Sequence, residues 1–153
     1  MIFMLDKTVI LEKINKALGI LRNYGISCEL TPEEFLKYVT APTLTGDTIH
    51  LNDIIENDLL ILHEVAEICE FKKKGISIDK NIFIKHPDLA YELHLKAMKI
   101  ELDYAYKKKN YEWIKRRLED INSYLKDPNL PDRLKEVCLK LLASYRAILP
   151  HER

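Results

Sequence analysis

The sequence has few residues that interrupt helices or form cross-links: four glycines, six prolines and three cysteines among 153 residues. So little glycine and proline excludes a collagen-like or linker-rich chain and is typical of a helical protein with few tight turns. The cysteines (Cys28, Cys69 and Cys138) lie far apart and form no Cys-x-x-Cys pair. An odd, scattered set of this kind favours reduced thiols in a cytosol over a disulfide framework.

The chain also lacks net charge, because 24 lysines and arginines balance 24 aspartates and glutamates. Without an overall basic field, we expect no nucleic-acid partner. The sequence has no run of about 20 apolar residues that would make a transmembrane helix. Charged residues from Asp6 onward interrupt what would have to be the apolar core of a signal peptide. We therefore expect no membrane partner and a cytoplasmic location.

Motifs of several enzyme classes are missing as well. The sequence contains no glycine-rich phosphate-binding loop and no Gly-x-Ser-x-Gly motif, which argues against an ATP- or NAD-dependent enzyme and a serine hydrolase. Apolar residues nonetheless make up 47% of the chain, which is too many for a disordered protein. The length suits one domain covering residues 1–153.

Apolar residues recur at helical spacing along most of the chain, which predicts a mainly α single-domain bundle of about five or six helices. Thr31-Pro32-Glu33-Glu34 is a strong helix start, with Thr31 as N-cap and Glu34 completing a capping box. A β-branched segment with Gly46-Asp47 at its centre predicts a small β-hairpin near residues 43–51. The predicted helices cover about 7–23, 32–39, 53–74, 87–108, 113–125 and 134–145.

Two central helices carry ionisable residues on mostly apolar surfaces. On the helix predicted at 53–74, a narrow polar stripe contains Glu56, His63, Glu67, Glu70 and Lys74. On the helix predicted at 87–108, an apolar arc is interrupted by His94 and Glu101, seven residues apart. A buried carboxylate must be paired, protonated or metal-bound, so Glu101 requires a partner group. We expect this partner to come from the polar stripe on the helix predicted at 53–74.

These residues suit a divalent transition metal. His63 and Glu67 project from one helix face at i, i+4, and His94 and Glu101 complete an imidazole and carboxylate set fitting Zn, Mn, Fe, Co or Ni. Glu64 lies about 100° off the stripe and is the catalytic acid/base expected beside such a metal. The alternative is a hydrogen-bonded His–Glu pair in the core that has no chemical role.

Two family resemblances accompany these residues. The core of HD-domain metal-dependent phosphohydrolases resembles two segments of this chain, LLILHEVAEI and, further on, HPDLAYELH. In this resemblance His63-Glu64 stands at the family's His-Asp position, and His86-Pro87 is the downstream element. This resemblance implies an all-α hydrolase of phosphate esters or nucleotides. Asp is replaced by Glu64. A second resemblance is to zincin peptidases, in which a strand precedes a helix that bears His-Glu-x-x-His. The similar segments here are DTIHLN and His63-Glu64-Val65-Ala66-Glu67, with Glu67 in place of the second histidine.

Two hypotheses remain. One is a metal-dependent hydrolase of the phosphohydrolase kind acting on a small-molecule substrate, with His63, Glu67, His94 and Glu101 as ligands or their immediate partners. The other is a non-catalytic helical interaction protein, expected to be a homo-oligomer, whose buried His–Glu pair fixes packing specificity.

Overall fold

A computed structural model describes residues 6–43 and 51–150, and these residues contain helices and no strand. The chain divides into two compact units, residues 1–87 and residues 88–153. The predicted mainly α class is therefore confirmed for the described part of the chain. The single-domain organisation expected for residues 1–153 stays a prediction.

The described residues form eight helices, against the five or six expected. The two additional helices are short: one is split from the start of the helix predicted at 53–74, and the other lies in the connection before Pro87. The bounds are α1 Lys7–Arg22, α2 Pro32–Val39, α3 Leu51–Ile55, α4 Asp58–Lys73, α5 Ile82–Lys85, α6 Pro87–Lys107, α7 Tyr111–Tyr124 and α8 Asp132–Ile148.

Local signals in the sequence fix most helix ends. Thr31 and Glu34 form the predicted capping box at the start of α2, so two backbone N–H groups that the helix leaves unpaired find acceptors. Gly25 and Gly75 follow α1 and α4 with φ of 73° and 77°. Glycine adopts this left-handed conformation without steric cost, which explains why both helices end there.

The prediction of one helix opened by Asp53 is wrong. The chain instead breaks between α3 and α4, where the Asn57 side chain accepts from the backbone N–H groups of Leu59 and Leu60 at 3.0 and 3.2 Å. Asn57 therefore caps the N-terminus of α4, and Asp53 lies within α3. Residues 44–50 of the predicted hairpin lie outside the described residues, and Leu51 at its end begins α3.

In the first unit, α4 packs against α1, α2 and α3. Most of α4 is buried, as its apolar sequence predicts. The buried side chains of this helix are Leu59, Ile61, Leu62, His63, Val65, Ala66, Glu67, Ile68, Cys69, Glu70 and Phe71.

The C-terminal half of α4 is also fastened to the segment that precedes α2. Cys28 and Cys69 form a disulfide across 41 residues, with their Cα atoms 5.5 Å apart. The prediction that all three cysteines stay reduced is therefore wrong for this pair, and only Cys138 is a free, buried thiol. Sequence spacing could not reveal the bond because tertiary packing brings the two positions together.

In the second unit, α7 packs against α8. α6 contacts α7 through the ion pair of Glu101 with Arg117. It also contacts the segment after α7, because Tyr91 donates to Asp127 at 2.7 Å. α6 meets α8 through the Tyr145 hydroxyl, which donates to the Lys99 carbonyl at 3.3 Å. Within the described ranges, none of the helices has the length and hydropathy that crossing a lipid bilayer requires.

Candidate functional site

His63 and Glu67, two of the predicted ligands, lie one turn apart on α4. The His63 Nε2 and Glu67 Oε2 atoms are 2.5 Å apart, and both side chains are buried. The i, i+4 spacing on a straight helix places the two side chains one above the other, as the sequence predicts. The result is a short hydrogen bond between an imidazole and a carboxylate inside the first unit.

Tyr38 of α2 completes this group. Its hydroxyl donates a hydrogen bond to Glu67 Oε1, and its side chain is 1% exposed. Burial raises the pKa of the Tyr38 hydroxyl well above its usual range, and the negative charges of Glu67 and Glu64 raise it further. Tyr38 therefore stays protonated, and a hydrogen-bond donor, at neutral pH. Each oxygen of the Glu67 carboxylate thus has a hydrogen-bonding partner.

Aromatic packing fixes the position of Tyr38. Its ring lies 5.1 Å from the Phe83 ring and 6.0 Å from the Phe71 ring, both in tilted geometry. Such contacts restrict the rotation of the phenol and direct the hydroxyl at Glu67. Tyr38 was not among the site residues predicted from the sequence. The capping box that places α2 was visible, but nothing in the sequence shows which residue α2 presents to α4.

Glu64, the expected acid/base, is partly exposed on α4. Its charge acts on the Tyr38 hydroxyl, so Glu64 lies within electrostatic range of the buried group. Glu70, from the same predicted stripe, is buried, with 4% exposure. The structure therefore places Glu67 in contact with both the Tyr38 hydroxyl and His63, with Glu64 within electrostatic range of Tyr38.

Glu101 lies in the second unit and has a different environment. Its carboxylate, which is 0% exposed, accepts from Arg117 Nη2 at 3.0 Å and from Trp113 Nε1 at 2.6 Å. Arg117 Nε lies 2.8 Å from its second oxygen. Burial lowers the pKa of the Arg117 guanidinium, but the charge of Glu101, its hydrogen bond to Arg117 and the interactions with Tyr124 and Asp120 together outweigh this effect, so the pKa is raised. A partner on α7 thus meets the requirement that the sequence identified.

His94 also has its hydrogen-bonding partner on α7. His94 Nε2 and the Tyr124 hydroxyl are 2.9 Å apart, and the two rings meet edge to face at 5.2 Å. The partners of His94 and Glu101 could not be predicted from spacing. They lie on α7, a separate amphipathic helix whose polar residues have the pattern of a solvent-exposed face. The assignment of His94 as a ligand stays a prediction, and Glu101 is left out of the proposal below.

Comparisons with known proteins give no further indication of function: no family model, no curated protein and no solved structure matched the chain.

Proposed function

We propose that His63 and Glu67 bind a divalent transition-metal ion and that the protein is a metal-dependent hydrolase of the phosphohydrolase kind. The observation that supports this proposal is the approach of His63 Nε2 to Glu67 Oε2, 2.5 Å apart in a buried setting. An imidazole nitrogen and a carboxylate oxygen are the donors that Zn, Mn, Fe, Co and Ni accept.

The distance between these two atoms decides whether an ion can bind while the hydrogen bond between them is intact. Ligand bonds of about 2.1 Å in a tetrahedral site place neighbouring donor atoms roughly 3.4 Å apart. The hydrogen bond between His63 and Glu67 is shorter than that, so it and the ion exclude each other. For His63 and Glu67 to hold an ion, this hydrogen bond would have to break and its proton would be released.

Tyr38 supports the same proposal. Carboxylates that bind metals are themselves held by hydrogen bonds, and removing such a supporting group typically costs 10–100-fold in metal affinity. Tyr38 donates to Glu67 Oε1, which leaves Oε2 facing His63. Its hydroxyl thus fixes which carboxylate oxygen is directed at the ion.

Glu64 is the acid/base residue of this proposal. It is partly exposed and lies near the buried group, so its carboxylate can exchange protons with water. A bound divalent metal lowers the pKa of a coordinated water towards neutrality. We further propose a small-molecule phosphate ester or nucleotide as substrate and a cytoplasmic location.

A metal titration tests the binding step. Chelator-treated full-length protein is titrated with Mn²⁺, Zn²⁺, Co²⁺ and Ni²⁺ in a calorimeter, and we expect about one equivalent to bind. His63→Ala and Glu67→Ala should each weaken binding by at least about 100-fold. His86→Ala is the matched control, because His86 is a partly exposed histidine of the same unit. His94→Ala in the same titration tests whether His94 is a third ligand, as the sequence predicts.

A phosphatase assay tests the catalytic step. Glu64→Gln should lower kcat for a phosphomonoester by about 10²–10⁴-fold while leaving the metal stoichiometry unchanged. Absence of binding by every ion, or equal weakening in His86→Ala, would contradict the metal site. Normal metal binding with no turnover of any phosphate ester would contradict only the hydrolase.

A second function, a non-catalytic helical interaction protein that forms homo-oligomers, is favoured by a different observation. Glu67 and Glu101 each accept hydrogen bonds from protein groups of their own unit. Buried carboxylates paired in this way need no ion. On this proposal His63→Ala lowers the melting temperature without changing metal content, and the protein elutes as a defined oligomer from a sizing column.

A further inference from the structure

The disulfide between Cys28 and Cys69 has a position that suggests more than static cross-linking. Cys28 lies in the irregular segment of residues 26–30, directly before the N-cap of α2, and is partly exposed. Cys69 is buried on α4, two residues beyond Glu67. The bond therefore ties the N-terminal end of α2 to the helix that carries His63 and Glu67.

Non-covalent contacts hold the same junction. The Lys72 ammonium donates to the Glu29 carbonyl and to Glu34, whose Oε2 lies 2.8 Å from Nζ. Ile26 and Leu30, on either side of Cys28, are buried. These contacts do not depend on the sulfur–sulfur bond, so they keep the two thiols close together when the bond is reduced.

We propose that the Cys28–Cys69 bond is a reversible redox link that controls how firmly α2 holds Tyr38 against Glu67. In the oxidised protein α2 is fixed to α4 at both ends, covalently before Thr31 and through Tyr38 near its C-terminus. In the reduced protein the covalent attachment is lost and α2 opens more often. The importance of this link in a cell rests on the proposed cytoplasmic location, where protein disulfides are usually transient or redox-sensing.

The chemistry is thiol–disulfide exchange with a dithiol reductant. A thiolate of the reductant attacks the more accessible sulfur, that of Cys28, and the Cys69 sulfur leaves as a thiolate and takes up a proton. The second thiol of the reductant then attacks the mixed disulfide and releases Cys28. Two electrons and two protons pass from the dithiol, which becomes a cyclic disulfide, to the two cysteines.

Thiol counting and hydrogen exchange test the proposal on the full-length protein. Under denaturing conditions we expect one titratable thiol before treatment with dithiothreitol and three after it. Native-state exchange followed by mass spectrometry should be at least about 10-fold faster in α2 after reduction and unchanged in α7 and α8. Glutathione disulfide should restore the slow exchange. None of these readouts requires a metal or an activity, so they are independent of the proposed function.

Variants separate the link from general effects of the reductant. Cys28→Ser should show fast exchange in α2 whether or not reductant is present. Cys138→Ser, which removes the buried thiol of the second unit, should keep the full redox response. Unchanged exchange in α2 on reduction, or loss of the helical circular dichroism of the whole chain, would overturn the proposal. The latter result would make the bond an obligatory structural cross-link.

Discussion

The ion pair between Glu101 and Arg117 gives the most demanding test of the second unit. Replacing Arg117 by methionine keeps an unbranched apolar stem and removes the charged guanidinium. Glu101 is 0% exposed and loses the N–H groups 3.0 and 2.8 Å from its two oxygens. The carboxylate is then left in the core without its cationic partner.

The expected magnitude follows from these contacts. A hydrogen bond to a charged group, here the one from Arg117 Nη2, contributes about 1.5–3 kcal/mol, and breaking a buried ion pair by removing one partner costs about 3–5 kcal/mol. Arg117 also contacts Asp120, whose side chain is 44% exposed, so this contact adds less than about 1 kcal/mol. We therefore expect Arg117→Met to lower the free energy of unfolding by about 3–5 kcal/mol, a large share of the 5–15 kcal/mol typical of a domain.

Urea unfolding followed by tryptophan fluorescence measures this loss, because Trp113 is the chain's one tryptophan and donates to Glu101 at 2.6 Å. The double variant Glu101→Leu, Arg117→Met removes both charges, so it should be more stable than Arg117→Met alone. A cost below about 1 kcal/mol for Arg117→Met, or simple addition of the two single effects in the double variant, would refute the reasoning.

Three further predictions concern individual polar contacts. Tyr38→Phe removes the donor to Glu67 Oε1 and should lower the free energy of unfolding by about 1–3 kcal/mol, measured by thermal unfolding. The pKa of Tyr91 is raised from 10.0 to about 12. The stability that the Tyr91 hydroxyl contributes is therefore complete below pH 10 and lost as pH rises towards 12. Tyr91→Phe should remove this alkaline dependence from the midpoints of urea unfolding. Burial raises the pKa of Glu34, but the hydrogen bonds from Lys72 and Thr31 and the charge of Lys72 together outweigh it, so this pKa falls below 4.5. Glu34→Gln, which retains the capping box, should remove stability present at neutral pH and lost below about pH 4.5.

Matched controls accompany these variants. Tyr106→Phe, at a residue 42% exposed on α6, should leave stability unchanged within about 0.5 kcal/mol. If it costs as much as Tyr38→Phe, the effect is not due to the buried hydrogen bond. Asp127→Asn weakens the acceptor for Tyr91 and should lower the alkaline midpoint. An unaltered acid profile in Glu34→Gln would show that the Lys72 contact contributes nothing.

The sequence predicted those parts of the fold that local chemistry decides. Thr31 and Glu34 located α2, Pro87 located the start of α6, and Gly25 and Gly75 marked the ends of α1 and α4. In each case a few neighbouring residues set the backbone conformation. Asp53 was predicted to open the helix that Asn57 caps instead, and this sequence-based prediction was wrong.

The candidate site was predictable to the extent that one helix contains it. The i, i+4 spacing placed His63 beside Glu67 without any knowledge of the tertiary fold. Contacts between helices were not predictable: neither the Tyr38 hydroxyl on Glu67 nor the disulfide across 41 residues has a signature in spacing. Such contacts depend on which faces of separate helices meet, and a single sequence does not encode that in a periodic pattern.

The Cys28–Cys69 bond also has a topological consequence. It closes residues 28–69 into a covalent macrocycle, within which α2, α3 and most of α4 are contained. A protease that nicks this macrocycle once releases no fragment, because the two pieces stay attached through sulfur. The disulfide-closed segment therefore remains one covalent molecule after a single cleavage.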